Sequence, residues 1–263
     1  MNNISPIGIL DSGLGGLSVM NEIHTLLPDQ QMIYFGDSEW CPYGARPTQE
    51  IVDRVFAITD FLLQQGCQLI VIACNSATIQ AVEALRTSYP IPFVGMEPGL
   101  KPAVSLTTSG TIGILATEAS LAGEKFHTLV NTHSQGVKVI TRPAPRFVEL
   151  VEKGELTTPY AQQVVNEETH ALTEAGADVI VLGCTHYPFL RPLIEQAVND
   201  QVHIIDTGAA VAKQVAKIIN TPTEKPSKTE DHYIYTSGNL AEAKKIIPIL
   251  CPNITAKIQQ AVI

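Results

Sequence analysis

Residues 70–78 read IVIACNSAT and residues 180–188 read IVLGCTHYP, so Cys74 and Cys184 each close an apolar run and open a short polar stretch, 110 positions apart. A cysteine ending a buried strand is ordinarily an inert small hydrophobe. That reading suits Cys67, which precedes a strand, and Cys251, which sits beside a proline; Cys41 lies in a Pro-Tyr-Gly loop that assigns it no role. Cys74 and Cys184 differ because thiol and setting recur together. Each falls between a strand and the expected start of a helix, where backbone N–H groups and the positive end of the helix dipole favour a thiolate.

Two equivalent thiols restrict the chemistry. A hydrolase needs one nucleophile and an orienting base, and a second matched cysteine adds nothing to it. Inversion of a carbon centre needs two groups, one to remove a proton from one face and one to return a proton to the other. Thiols suit this, because an ordinary pKa of about 8.5 can be lowered toward neutrality, so that one works as thiolate and the other as thiol.

The elements that must hold these groups are legible as short apolar runs (IGIL, MIYFGD, LIVIAC, FVGM, TIGILA, VKVITR, VIVLGC, VHIIDT) alternating with stretches of helical spacing. That alternation predicts an α/β protein with largely parallel sheets flanked by helices. After DSGLGG, Leu17, Met20, Ile23 and Leu27 share a helical face that Pro28 ends. After Cys74, Asn75 or Ser76 can cap a helix burying Ile79, Val82 and Leu85. After Cys184, Pro188 or Pro192 suits a first helical turn leading to Leu193, Ala197 and Val198. IGILDSG at 7–13 matches IGILATE at 112–118 at an offset of 105, close to that of the cysteines, which predicts an internally duplicated unit and hence two pseudo-symmetric domains. Ligands bind beyond the carboxyl ends of strands in open α/β sheets, and Asp11, Asp37, Cys74, Thr117, Cys184 and His186 all fall at or just past such ends. The stretch 221–231, TPTEKPSKTED, reads as a polar connection before a last strand, HYIYTSG, and a last helix, NLAEAKKIIPIL.

The chain of 263 residues is 45% apolar and 16% charged, enough for substantial cores, and its formal charge of −9 comes with no lysine- or arginine-rich block. The electrostatic footprint of a nucleic-acid or anionic-membrane binder is therefore absent, and the expected partner is a small molecule. MNNISP leads into IGIL without the charged and long apolar regions of a secretion signal, and no apolar run approaches a membrane span. The protein is expected in the cytoplasm, where five cysteines without a C-x-x-C pair form neither a disulfide framework nor a common zinc pattern. GLGG lacks the spacing of a dinucleotide loop.

The ordered set DSGLGG, PYG, ACNSAT, EPGLKPA, IGILATE, FVELVEKG and GCTHYPFL closely resembles the glutamate racemases of the cofactor-independent aspartate/glutamate racemase family, from about residue 7 to at least 215. The resemblance implies a first domain over 1–97 and 207–263, a second, inserted domain over 98–206, and an active site in the interdomain cleft. It implies two-base racemisation of L- and D-glutamate, supplying D-glutamate for peptidoglycan, without pyridoxal phosphate, metal or other cofactor. Cys74 would abstract the α-proton of D-glutamate and Cys184 that of L-glutamate. Asp11 would assist Cys74, His186 would assist Cys184, and Asp37 and Glu152 would complete the catalytic charges. Ser12, Pro42, Tyr43, Gly44, Asn75, Ser76, Thr117, Ser120 and Thr185 match substrate contacts of the family, and homodimers are common in it.

This chain departs from the family pattern at three places. Ser76 stands where a threonine is usual, Glu118-Ala119-Ser120 replaces x-G-T, and Trp40 and Cys41 occupy a variable loop. Rival readings are a racemase for aspartate or another small acid, since one methylene is worth only about 1–3 kcal/mol, a cysteine amidohydrolase, and a non-catalytic amino-acid-binding module.

Overall fold

A computed structural model describes residues 5–219 and 231–263. Apart from Asp231, the polar connection expected over 221–231 lies outside the described residues. In chain order the elements are β1 (Ile7–Asp11), α1 (Leu17–Leu26), β2 (Met32–Gly36), α2 (Thr48–Gln64), β3 (Leu69–Ile72), α3 (Asn75–Ser88) and β4 (Phe93–Gly95). There follow α4 (Leu100–Leu106), β5 (Thr111–Ala116), α5 (Glu118–Ala122), α6 (Glu124–His133), β6 (Lys138–Pro143), α7 (Pro145–Glu152), α8 (Pro159–Glu174), β7 (Val179–Leu182), α9 (Arg191–Ala197) and β8 (His203–Ile205). The chain closes with α10 (Gly208–Ile219), β9 (His232–Thr236), α11 (Leu240–Leu250) and β10 (Ala256–Gln260). It divides into two compact units, Met1–Met96 with Gly208–Ile263, and Glu97–Thr207.

The first unit holds a six-stranded parallel sheet in the order β10-β9-β2-β1-β3-β4. β1, β2 and β3 are buried along their whole length, so they carry apolar side chains on both faces instead of alternating. On α2, Ile51, Val55, Ile58 and Leu62 recur every three or four residues and form the buried stripe. α1 buries Leu17, Val19, Met20 and Ile23, and Leu27 falls just past its end as the cap. Pro248 lies inside α11, whose start is fixed by Asn239, its side chain accepting from the N–H groups of Ala241 and Glu242. β10 has no apolar run to announce it. It is an edge strand reading AKIQQ, formed by parallel pairing with β9.

The second unit holds a four-stranded parallel sheet in the order β6-β5-β7-β8. Counted along each unit, both sheets place their first four strands in the order second, first, third, fourth, and the registers agree. Ile7 pairs with Leu69 as Ile112 pairs with Val179. Past the strand ends the backbone repeats too: Ala73 N–H donates to the Leu10 carbonyl at 2.8 Å, and Gly183 N–H to the Leu115 carbonyl at 2.7 Å. The duplication expected from two sequence landmarks is thus present as topology. Because every strand is parallel, all carboxyl ends in a sheet lie on one edge, and Asp11, Asp37, Cys74, Thr117 and Cys184 sit at or one to two residues beyond those ends.

Candidate active site

In the first unit three neighbouring strands deliver Asp11, Asp37 and Cys74 to one sheet edge. Asp11 ends β1 and is fully buried. Its Oδ1 accepts from the Ser12 hydroxyl and from the Gly13 N–H, both at 3.0 Å. The Cys74 thiol lies 3.7 Å from Ser12 Oγ, to which it donates. Thiol, hydroxyl and carboxylate therefore form a chain from Cys74 through Ser12 to Asp11. Gly16 is what lets α1 start so close: a Cβ there would stand 2.8 Å from Asp11 Cβ, 2.8 Å from Asp11 Oδ2 and 2.9 Å from Ala73 Cβ.

Cys74 is itself the N-cap of α3, its sulfur accepting from the Ala77 N–H at 3.5 Å. The sequence favours Asn75 or Ser76 as the cap. Both instead lie in the first turn, buried, with Val82 and Leu85 on the packed face and Ile79 only half-buried. The reason is the extended backbone of Cys74, φ −138° and ψ 120°, which aims its side chain back over the helix start. A thiolate here receives a backbone N–H and the field of a 14-residue helix.

Asp37 follows β2 with no exposed surface. Tyr43 Oη donates to its Oδ2 at 2.6 Å, Arg54 Nε to Oδ2 at 3.0 Å, and Arg54 Nη2 to Oδ1 at 2.7 Å. Burial, and then the Asp37 charge, push the Tyr43 hydroxyl far above its ordinary pKa, so it remains a donor. Pro42 and Gly44 flank Tyr43 around a 3-10 turn over Tyr43–Ala45.

In the second unit β7 delivers Cys184, and α7 brings a carboxylate. Cys184 Sγ lies 3.6 Å from His186 Nδ1, and His186 Nε2 lies 2.7 Å from Glu152 Oε1 at the last residue of α7. With the Nε2 proton donated to Glu152, Nδ1 presents its lone pair to the thiol. α7 is also tied at its start, where Tyr187 Oη donates to the Ala144 carbonyl at 3.0 Å. Thr117 caps α5, its Oγ1 accepting from the Ser120 N–H at 3.2 Å and lying 2.9 Å from Ser120 Oγ. Thr185 and His186 are buried in the turn after Cys184.

The equivalence of the two thiol settings holds only as far as the strand. No α-helix starts at Cys184; a 3-10 turn over Tyr187–Leu190 intervenes, α9 begins at Arg191, and Val198 lies outside that helix as its cap. Pro188 and Pro192 each occupy the first positions of their own segment, which splits what could have been one helix. Cys74 is served by a helix end and a hydroxyl, Cys184 by an imidazole. Cys67 and Cys251 fit the inert reading, for burial pushes each thiol up to about 12. Sequence reasoning missed Arg54 and the Tyr187 tie, since neither sits in a motif with local spacing. It named Ser12 without its place between Cys74 and Asp11.

A family model described as Asp/Glu/Hydantoin racemase matches residues 7–215. A glutamate racemase of Herpetosiphon aurantiacus is 45% identical over 243 residues, covering 92% of this chain and 96% of that one. One from Pseudomonas putida KT2440 is 44% identical over 250 residues, 94% of each chain. The solved structure of Escherichia coli glutamate racemase in complex with L-glutamate and the activator UDP-MurNAc-ala superposes with a TM-score of 0.88 at 29% identity, covering 98% of each chain.

Proposed function

Since the chain belongs to the Asp/Glu/hydantoin racemase family, we propose that it interconverts L- and D-glutamate by a cofactor-independent two-base reaction, with Cys74 and Cys184 as the proton-transferring groups. The observation that carries this reading is that each thiol heads its own chain to a carboxylate: Cys74 through Ser12 to Asp11, and Cys184 through His186 to Glu152. In one direction a thiolate removes the α-proton from one face while the other thiol delivers a proton to the opposite face; in the reverse direction the roles exchange. The family resemblance assigns the α-proton of D-glutamate to Cys74, which accepts from the Ala77 N–H, and that of L-glutamate to Cys184, which lies beside the His186 imidazole.

Deprotonation at the α-carbon pushes negative charge onto the substrate carboxylate, and donors aimed at that charge lower the barrier. Asn75, Ser76, Thr117, Ser120 and Thr185, with backbone groups of Ser12, Pro42, Tyr43 and Gly44, are the proposed substrate contacts. The product fits a supply of D-glutamate for peptidoglycan in the cytoplasm. A homodimer is the assembly expected with this reading, and sedimentation velocity checks it. No helix among the described residues is long and apolar enough to cross a membrane.

The test is incubation of reduced protein with L-glutamate in heavy water, following optical activity and α-deuterium together, with L-aspartate in parallel. Loss of optical activity with deuterium entering the inverted glutamate is the expected result. Folded, reduced protein that exchanges neither acid sinks the proposal, and preferential turnover of aspartate reassigns the substrate.

A further inference from the structure

The resemblance counts Asp37 among the catalytic charges, yet its environment is that of a fixed anion. Its two oxygens accept three hydrogen bonds, two from the fork of Arg54 and one from Tyr43. The carboxylate is wholly buried and the Arg54 side chain is 13% exposed, so the pair is shielded from water. The third arm of the guanidinium, Nη1, donates to the carbonyl of Ile263 at 2.8 Å, and its carbon stands 5.0 Å over the Trp40 ring. The Asp37 N–H donates to the Asp11 carbonyl at 2.9 Å, which fastens this assembly to the end of β1.

We propose that Arg54, braced by the carbonyl of Ile263, is a positioning residue that holds the Asp37 carboxylate in place and through it fixes Tyr43 and Gly44, so that Asp37 moves no proton. The proposal rests on the racemase reading for its kinetic consequences. A carboxylate that relays protons must lose and regain one during turnover. The two Asp37 oxygens already accept three hydrogens from Arg54 and Tyr43, and any movement that broke these bonds would leave a largely buried guanidinium unpaired. Arginine suits the position because its planar fork meets both carboxylate oxygens and still leaves an arm for Ile263; lysine, a single point charge, cannot do all three. The fixed Tyr43 side chain in turn sets where the backbone of the Pro42–Gly44 loop stands. Within that loop Pro42 is exposed, Gly44 half-buried and only Tyr43 buried, and the loop carries no regular structure beyond one 3-10 turn, so the anchor at Tyr43 is what defines its position.

The experiment compares wild type with Arg54→Lys, Asp37→Asn and a chain stopped after Ala261. Positioning predicts that the first two raise KM for glutamate about tenfold, with kcat within about threefold and the pH profile of kcat/KM unchanged in shape. The shortened chain raises KM about threefold. Amide exchange by mass spectrometry over Ser38–Arg46 becomes faster in all three. An Asp37→Asn enzyme that keeps its KM but loses kcat and one limb of the pH profile overturns the proposal and restores a proton-transfer role. Arg54→Lys or the shortened chain matching wild type in KM and exchange also overturns it. Wild-type protein that racemises nothing removes the function reading instead, and the exchange measurements then decide the positioning claim alone.

Discussion

Replacing Gly16 with alanine sets two physical effects against each other. The backbone there, φ −63° and ψ −10°, suits any residue, so the loss of unfolded-state freedom alone would stabilise the protein by about 0.4–1 kcal/mol. The new methyl, however, would stand 2.8 Å from both Cβ and Oδ2 of Asp11 and 2.9 Å from Ala73 Cβ. None of these is the loose end of a flexible side chain: Asp11 is hydrogen-bonded at the end of β1, and Ala73 leads into Cys74. Such overpacking costs about 1–3 kcal/mol. The steric term wins, with a net loss of about 1–2 kcal/mol, which for a chain of this size lowers Tm by roughly 2–4 °C per kcal/mol. The displacement falls on Asp11, and through Ser12 on the Cys74 thiol, so kcat/KM should fall by about tenfold or more, given what small misplacements cost. Thermal melts with glutamate turnover measure both effects. Gly110→Ala is the control: at φ +71° with open space around it, alanine costs about 1–2 kcal/mol of backbone strain and leaves turnover intact. If Gly16→Ala melts at or above the wild-type temperature with undiminished kcat/KM, the packing argument is wrong.

Glu152→Gln and His186→Asn should each lower kcat/KM by about 10² or more, and the double variant should lose little beyond the worse single one, because both residues act through one chain to Cys184. As enantiomers have equal free energy in water, kcat/KM must stay equal for L- and D-glutamate in every variant, and only kcat and KM separately can diverge. Cys67 and Cys251 should resist alkylation at neutral pH. Their folded pKa values of about 12 lie above the ordinary thiol value, so the folded state holds protons that the unfolded state gives up. Stability should therefore fall as pH rises from about 9 toward 12, by up to ~1.4 kcal/mol per pH unit per thiol, and urea titrations of Cys67→Val should show a shallower slope. His232 works in the opposite pH range: burial, then His24, lower its pKa, and its Nδ1 accepts from the Met32 N–H at 3.2 Å. The unfolded chain binds the proton more readily, so stability should drop as pH falls below 6.5. His232→Asn, which keeps an acceptor without titrating, should flatten that limb in acid unfolding curves.

The sequence by itself determined the α/β class, nearly every strand, the repeat, and the pair of thiols at strand ends. These are properties of local pattern: an apolar run buried on both faces, a helical stripe, or a residue type recurring in the same short context. It did not reveal β10, whose polar AKIQQ becomes a strand only because β9 offers an unpaired edge. It could not say that Cys74 caps its own helix while a 3-10 turn follows Cys184, because two prolines and one backbone angle decide that after the strands are placed. Nor could it pair Asp37 with Arg54 seventeen residues away, or His186 with Glu152 thirty-four residues away. The identities of these side chains are written in the sequence. Their contacts depend on strand order and register, which are set by packing whole elements against one another, and no local spacing carries that information.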